Sequence, residues 1–194
     1  IGDKQALKLA KLDIYNVRDL LYHIPRYYKD TSVLSTLSDL DKEIEHTVIA
    51  RVITIKNIRI RSGKFIEKAT VGDDTGEVGV TWFNQPYLTK NIKPGDLVYL
   101  SGKLDPRSTK PVFMSPDYEV FKTNSLHLGR IVPVYNLTRG ISVKWLRMRL
   151  NDLTNNIFSI TDLTDRLAKN IKEHFGLIEL HLALRKIHFP DSEE

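Results

Sequence analysis

The sequence predicts a mainly β fold with flanking helices, and three observations carry that prediction. Two apolar helical stripes lie within the first 30 residues. Strand-like alternation and β-branched residues dominate from about Thr47 to Phe121, and helical patterns return after that. The middle stretch contains five predicted strands with a short helix between the third and fourth. This is the element order of a five-stranded OB-fold barrel, a small and partly open Greek-key barrel.

The N-terminal helices are predicted from the spacing of apolar residues. One stripe runs through 6-ALKLA-10 and a second through 17-VRDLLYHI-24, and Pro25 ends the second helix. We therefore expect residues 1–45 to form an N-terminal helical cap.

The barrel is predicted for residues 46–122. The turn 73-DDTG-76 predicts a hairpin between the second and third strands, and Pro86 begins the short helix 86–92. Pro116 interrupts the last strand. The predicted strands are 47-TVIARVITIKNIRIR-61, 64-KFIEKATVGDD-74, 77-EVGVTWF-83, 97-LVYLSGKL-104 and 112-VFMSPDYEVF-121.

Residues 123–194 are predicted to form a C-terminal helical extension. Ser142 is placed to cap a basic amphipathic helix over 143–153. A last helix over 177–188 is stopped by Phe189 and Pro190.

Composition narrows the function classes. The 194 residues carry 29 Lys and Arg against 24 Asp and Glu, a net charge of +5 that favours a polyanionic partner without establishing one. The absence of cysteine excludes disulfides and thiolate metal sites, and it is compatible with a reducing cytosol. There is no apolar run of the ~18 residues that a membrane helix needs. Because the sequence begins at Ile1, we expect a trimmed or processed chain.

Motifs for catalysis, cofactors and metals are absent from the sequence. The GxxxxGK[ST] phosphate loop is missing, since Gly63-Lys64 is followed by Phe65. His174, His181 and His188 recur every seven residues, which on a helix is ~10 Å and too far for one metal ion to bridge. The sequence therefore predicts a binding module with no catalytic, cofactor or metal site of its own.

Basic residues cluster on two predicted barrel loops and on one predicted helix. In OB-folds the loops between strands one and two and between strands four and five flank the face that binds oligonucleotides. The alternative is an ordinary solvated surface. The candidate phosphate contacts are Arg59, Arg61 and Lys64 on the first loop, Arg107 and Lys110 on the second, and Lys144, Arg147 and Arg149 on the helix.

Two aromatic residues lie at the end of the third predicted strand and just after it. Val78, Val80 and Trp82 alternate onto the core face, so Phe83 leaves the barrel on its polar side. Tyr87 lies about one helical turn further on. Two aromatic rings beside a basic groove can form a platform on which nucleic-acid bases stack. Alternatively, they cap the barrel mouth or pack on the helical portion.

Four sequence blocks carry a resemblance to a known family. The blocks 19-DLLYHIPRYYKD-30, 81-TWFNQPYL-88, 130-RIVPVYNLTRGIS-142 and 184-LRKIHFPDS-192 occur in order along the chain. Together they resemble the N-terminal wedge domain of RecG, the bacterial ATP-dependent branched-DNA helicase. The resemblance implies an OB-fold that binds stalled replication forks and Holliday junctions in DNA repair and recombination. It also implies that Phe83 and Tyr87 support the first unpaired bases at the branch point.

The resemblance sets further expectations. The family's motor, which uses ATP and Mg²⁺, follows the wedge domain, so we expect this chain to be a monomeric fragment of a bacterial cytoplasmic protein that acts at the nucleoid. The fragment should bind and split branched DNA without hydrolysing ATP, with its own motor domains as partners. Two other functions remain open: a generic single-strand-binding OB module, and a protein-interaction module anchored by Phe83 and Tyr87.

Overall fold

The computed structural model describes residues 1–60, 63–121, 126–156 and 163–190. It contains eight described strands and six described α-helices, with two 3-10 helices at Ala10–Leu12 and Leu37–Asp39. In chain order the elements are α1 (Asp3–Leu9), α2 (Val17–Leu21), β1 (Tyr27–Asp30), β2 (His46–Arg59), β3 (Phe65–Asp73), β4 (Gly76–Phe83), α3 (Leu88–Asn91), β5 (Leu97–Gly102), β6 (Val112–Met114), β7 (Asp117–Val120), β8 (Ile131–Val134), α4 (Val143–Asn155), α5 (Lys169–Phe175) and α6 (Leu180–His188).

The chain divides into two compact units rather than three consecutive segments. Residues 31–130 form one unit, and residues 1–30 with 131–194 form the other. The sequence-based division at 1–45, 46–122 and 123–194 treated the two ends of the chain as separate. They belong to one unit because β1 pairs antiparallel with β8, which brings Tyr28 opposite Pro133. Four-residue strands this far apart leave no periodic signal in the sequence.

The unit of residues 31–130 is a curled sheet with the order β6-β4-β3-β2-β5-β7. Its two outermost strands are consecutive in the chain and are separated only by Ser115 and Pro116. They are the two halves of the fifth predicted strand. The first half pairs parallel with β4 and the second pairs antiparallel with β5, so the sheet nearly closes on itself. This strand order is that of an OB-fold, as predicted.

The barrel core is built from the inward residues of each strand. Val48, Val80, Leu100 and Phe113 are almost completely buried, and Leu88 of α3 packs in the same cluster. The strand β2 is long enough to extend beyond this cluster. Its last part, from Thr54 to Arg59, pairs with β3 but not with β5, and together with the end of β4 these strands form a three-stranded arm.

The second unit combines the β1–β8 pair with helices. Asn16 caps α2 through a reciprocal pair of hydrogen bonds with Asp19, and Ser142 caps α4 as predicted. Arg147 of α4 is buried, and its Nε and Nη2 donate to the carbonyl of Pro133 at 3.0 and 2.6 Å. This bond ties the helix to β8.

Among the described residues, none of the helices has both the length and the apolar character needed to cross a membrane.

Candidate nucleic-acid interface

The hairpin of β3 and β4 sets the register of the candidate surface. The Asp73 carboxylate accepts hydrogen bonds from the hydroxyl of Thr75 and from the N–H groups of Leu37, Thr75 and Gly76. Burial alone would raise the pKa of Asp73, but these hydrogen bonds outweigh it and lower the pKa. The turn is thereby fixed at two residues, and counting back from it pairs Ile66 with Phe83.

Phe83 ends an apolar row across three strands. Ile58 pairs with Ile66 and Ile66 pairs with Phe83, and paired residues of antiparallel strands share one face of a sheet. The face is the outer one, since the neighbouring Trp82 points inward. Phe83 is 47% exposed and Ile58 is also exposed. The row is therefore an apolar strip open to solvent that ends in an aromatic ring.

The next row along the strands belongs to the inner face. Trp82 is 1% exposed, and its Nε1 donates to the carbonyl of Pro116 at 2.9 Å. Its cross-strand partner Glu67 is fully buried. Trp82 thus serves the core, as its alternation with Val78 and Val80 predicts.

A tight turn joins β4 to α3 and carries the second aromatic residue. Asn84 adopts a left-handed conformation with φ 57°, and its N–H donates to the carbonyl of Phe65 at 2.8 Å. The Gln85 N–H donates to Glu67 Oε2 at 3.0 Å. Tyr87 is 51% exposed, and its hydroxyl donates to Gln85 Oε1 at 2.9 Å. The next residue, Leu88, is buried in the barrel core. The boundary between the solvent-exposed surface and the core therefore falls between Tyr87 and Leu88.

The environment of Tyr87 is partly desolvated despite its exposed ring. Burial of its hydroxyl, followed by electrostatic interactions with Tyr118 and Glu67, raises the pKa of Tyr87 above its ordinary value of 10.0. The phenol therefore stays neutral at physiological pH. A neutral, half-exposed ring is suited to stacking on a planar group.

Two lysines share the outer face with Phe83, and sequence reasoning did not single them out. Lys56 pairs with Lys68, and Lys68 pairs with Thr81, two residues from Phe83 on the same strand. Both lysines are exposed. A basic row thus runs beside the apolar row at a separation of roughly 7 Å, two residues of strand. Counting the strand register from the 73–76 turn would have placed Lys68 beside Phe83. The distribution of charge along the sequence does not by itself reveal this neighbourhood.

The predicted phosphate contacts on the barrel loops that the structure describes are exposed and lie at two different places. Arg59 pairs with Phe65, one residue beyond Ile58, which places it at the Phe83 end of the sheet but on the opposite face. Lys64 lies in the same loop, and Arg61 falls outside the described residues. Arg107 and Lys110 precede Pro111, whose carbonyl accepts from the Gly79 N–H. Pro111 thus meets β4 at Gly79, about 13 Å along the strand from Phe83, and the loop that carries Arg107 and Lys110 leads into this point.

The predicted contacts on α4 belong to the other compact unit and differ among themselves. Lys144 is half-buried. Arg149 forms an ion pair with Asp152 at 3.0 Å and lies over the ring of Trp145. Arg147 uses its buried guanidinium to hold the Pro133 carbonyl, so a phosphate contact does not fit its position. Helical spacing could not separate this inward arginine from its outward neighbours.

The described surface offers no metal centre. In the part of the chain that the structure describes, there is no group of three or more His, Asp or Glu side chains that could hold a metal ion.

The fold and this surface define an OB-fold module with helices at both ends, whose exposed aromatic residues lie beside lysines. The family described as RecG wedge domain matches residues 1–159, and the chain belongs to this family.

Curated relatives extend the similarity over the whole chain. The chain is 29% identical over 193 residues to the ATP-dependent DNA helicase RecG of Thermotoga maritima, which covers 98% of this chain and 24% of that protein. The RecG of Staphylococcus aureus is 27% identical over 201 residues, with 100% and 28% covered. The chain thus spans about a quarter of the length of these relatives.

A solved structure shows the same fold. It is described as RecG bound to a three-way DNA junction, and it superposes on 99% of this chain with a TM-score of 0.79 and 29% sequence identity. The match covers 26% of that chain.

Proposed function

We propose that this chain is the branched-DNA-binding part of a longer RecG-like ATP-dependent DNA helicase, and that it holds replication forks and Holliday junctions while strands separate across it. The observation that carries this function is the exposure of Phe83 and Tyr87, 47% and 51%, on either side of a turn whose neighbours Trp82 and Leu88 are buried. The family membership and the junction-bound relative support the same function.

The two aromatic rings are suited to the bases at a branch point. A base that has lost its pairing partner exposes a planar face to water, and stacking on an aromatic side chain stabilises it by about 1–3 kcal/mol. Phe83 offers a ring without polar groups, and the Tyr87 ring is held in place through its hydroxyl. Neither ring is required to fill the barrel, since Trp82, Leu88 and Phe113 do so.

The surrounding cations are suited to the backbone of the same strand. Lys56 and Lys68 run parallel to the apolar row that ends in Phe83, so bases over one row would place phosphates near the other. Arg59 and Lys64, with Arg61, form a second basic group at the loop between β2 and β3. Arg107 and Lys110 form a third beyond β4, and Lys144 and Arg149 are further candidates on α4.

ATP and Mg²⁺ belong to the motor of the longer protein in this account. The residues of this chain do not fit either group, because the sequence has no GxxxxGK[ST] loop and the described residues include no acidic cluster for a metal. The wedge chain contributes binding and strand separation, and its own motor domains in the longer, monomeric cytoplasmic protein supply the movement.

The test is a comparison of affinities for DNA of different shapes. Dissociation constants are measured at one salt concentration for a three-way junction, for the matching linear duplex and for the matching single strand. A branched-DNA wedge binds the junction most tightly. Equal affinity for the junction and the single strand would instead support a generic single-strand-binding OB module.

The salt dependence of the affinity distinguishes the two nucleic-acid-binding functions, the branched-DNA wedge and the generic single-strand-binding module, from a protein-interaction module. Nucleic-acid affinity falls steeply as salt rises, because bound phosphates release counterions, whereas an aromatic contact with a protein changes little.

A further inference from the structure

A buried carboxylate lies beneath the turn that carries Tyr87. Glu67 is 0% exposed, on the inner face of β3 opposite Trp82. Burying a carboxyl group is costly unless its oxygens receive hydrogen bonds. A buried carboxyl group inside a small barrel is therefore expected to have a role, such as accepting a particular hydrogen bond, that an apolar side chain could not fill.

The contacts of Glu67 lead to the aromatic platform. Its Oε2 accepts the N–H of Gln85 at 3.0 Å, and the side chain of Gln85 accepts the Tyr87 hydroxyl at 2.9 Å. The carboxylate also lies close enough to Tyr87 to act on the ionisation of its phenol. One chain of hydrogen bonds thus runs from the core of β3 through the turn to the exposed ring.

The other carboxyl oxygen of Glu67 takes no part in this chain of hydrogen bonds. Its Oε1 is buried and has no hydrogen-bond partner among the described residues. The stabilising contribution of Glu67 to the fold is therefore incomplete, since an unpaired buried acceptor is a cost. The side chain is better accounted for by what its bonded oxygen holds than by its contribution to the core.

We propose that Glu67 is a positioning residue for base stacking: it anchors the Gln85 backbone and thereby holds Tyr87, beside Phe83, in the orientation that receives an unpaired base. This role rests on the proposed DNA-binding function. Glu67 itself touches no DNA, because it is sealed inside the barrel.

Two substitutions of similar size separate this role from a general contribution to the fold. Glu67→Gln keeps an acceptor oxygen for the Gln85 N–H. Glu67→Leu fills the same space without an acceptor. It also removes the buried Oε1 that has no hydrogen-bond partner among the described residues, which offsets part of the stability lost with the Gln85 hydrogen bond. We expect the Leu variant to lose about three- to ten-fold in junction affinity, on the order of the free energy of one hydrogen bond, with a melting temperature near wild type. The Gln variant should bind like wild type.

Hydrogen exchange of the Gln85 amide gives a second measurement that needs no DNA. In the wild type and in Glu67→Gln this amide is protected, and in Glu67→Leu it should exchange faster. If Glu67→Leu does not fold, Glu67→Asp replaces it, because a side chain shorter by one carbon withdraws the acceptor from the Gln85 N–H.

The outcomes distinguish the positioning role from the function on which it rests. If Phe83→Ala and Tyr87→Ala weaken junction binding but Glu67→Leu binds like wild type, the positioning role is wrong and the DNA-binding function stands. If neither aromatic substitution affects binding, the DNA-binding function is wrong. Unchanged exchange at Gln85 in the variant that lacks the acceptor refutes the positioning role in either case.

Discussion

Two adjacent residues on β4 lie on opposite faces of the sheet, one buried and one exposed. This difference determines which side chains a ligand can contact. Trp82 and Phe83 are neighbours in sequence, yet one is 1% exposed and the other 47%. Because side chains alternate across a strand, the core face can be filled completely while the outer face stays free for a ligand. In the proposed function, stability and binding therefore rest on different residues of one short segment.

This separation predicts opposite outcomes for substitutions at positions 82, 83 and 87. Phe83→Ala and Tyr87→Ala should each lower junction affinity about five-fold or more at fixed salt, with little change in melting temperature, since each removes a stacking partner worth about 1–3 kcal/mol. Trp82→Ala should destabilise the fold by about 3–5 kcal/mol, because it removes a large buried side chain. Fluorescence anisotropy and thermal unfolding measure the two quantities. If Phe83→Ala unfolds the domain, that ring belongs to the core.

A buried histidine is expected to make the stability of the second unit depend on pH. The Nε2 of His188 donates to the carbonyl of Leu21 at 2.8 Å, so its Nδ1 accepts the hydroxyl of Tyr135 at 2.9 Å in the neutral form. Burial, with a contribution from His23, lowers the pKa of His188 below its ordinary value of 6.5 despite the opposing effect of the Leu21 hydrogen bond. The folded state therefore resists protonation more than the unfolded chain does.

The sign of the pH effect follows from that direction. The unfolded chain binds the proton at a higher pH than the folded state, so the stability that neutral His188 contributes is complete above about pH 6.5 and is lost as the pH falls below it. The melting temperature should fall between about pH 7.5 and pH 5. His188→Gln, which cannot titrate, should show a smaller fall, and equal falls in both proteins would contradict this account.

At the scale of elements, the hairpins and the arm determine which cations act together. The arm carries Lys56 and Lys68 on the face of Phe83, whereas Arg59 lies on the opposite face. A nucleic-acid strand on the outer face would meet the lysines first. The loop group of Arg59, Arg61 and Lys64 would then serve a different segment of DNA, such as a duplex arm.

Neutralising the two groups should therefore change the salt dependence differently. The measured quantity is the slope of log K against log salt. For Lys56→Ala/Lys68→Ala, this slope should flatten by ~0.7 for each contact with a single-strand phosphate that is lost. When the charges of Arg59, Arg61 and Lys64 are removed, it should flatten by ~0.9 for each contact with a duplex phosphate that is lost. Titrations at several salt concentrations measure the slopes. Lys4→Ala/Lys11→Ala removes the same charge as the lysine pair and serves as its control. Unchanged slopes would indicate that these residues belong to an ordinary solvated surface and do not contact phosphates.

The elements also show what could be predicted from sequence and why. The five strands, the hairpin turn and the capped α4 follow from local patterns, and they fix the barrel and the outward direction of Phe83. The pairing of β1 with β8 joins residues about a hundred positions apart and has no local signature. Arg147 shows the same limit, because its burial depends on the Pro133 carbonyl of a strand that was not predicted.

At the scale of the whole molecule, the chain divides into a barrel that carries the proposed DNA-binding surface and a second unit made from both ends of the chain. It covers about a quarter of relatives that are named ATP-dependent helicases. Binding and ATP-driven movement are therefore expected to reside in different parts of the longer protein.

This division predicts that the 194-residue chain has no nucleotide-dependent activity of its own. Incubation with ATP, Mg²⁺ and fork DNA should release no phosphate above a protein-free blank, because the sequence has no phosphate-binding loop. A malachite-green assay gives the readout. Reproducible turnover that DNA stimulates, and that persists through further purification, would contradict the prediction.

The central claim is that Phe83 and Tyr87 receive the unpaired bases at a DNA branch point, and photocrosslinking tests it most directly. A three-way junction carries 5-iodouracil either at the first unpaired position or in the middle of a duplex arm, and irradiated complexes are mapped by peptide mass spectrometry. The account predicts crosslinks at Phe83 or Tyr87 from the branch position and none at these residues from the arm. Crosslinks from the branch position only to other residues, or equal crosslinks from both positions, would contradict it.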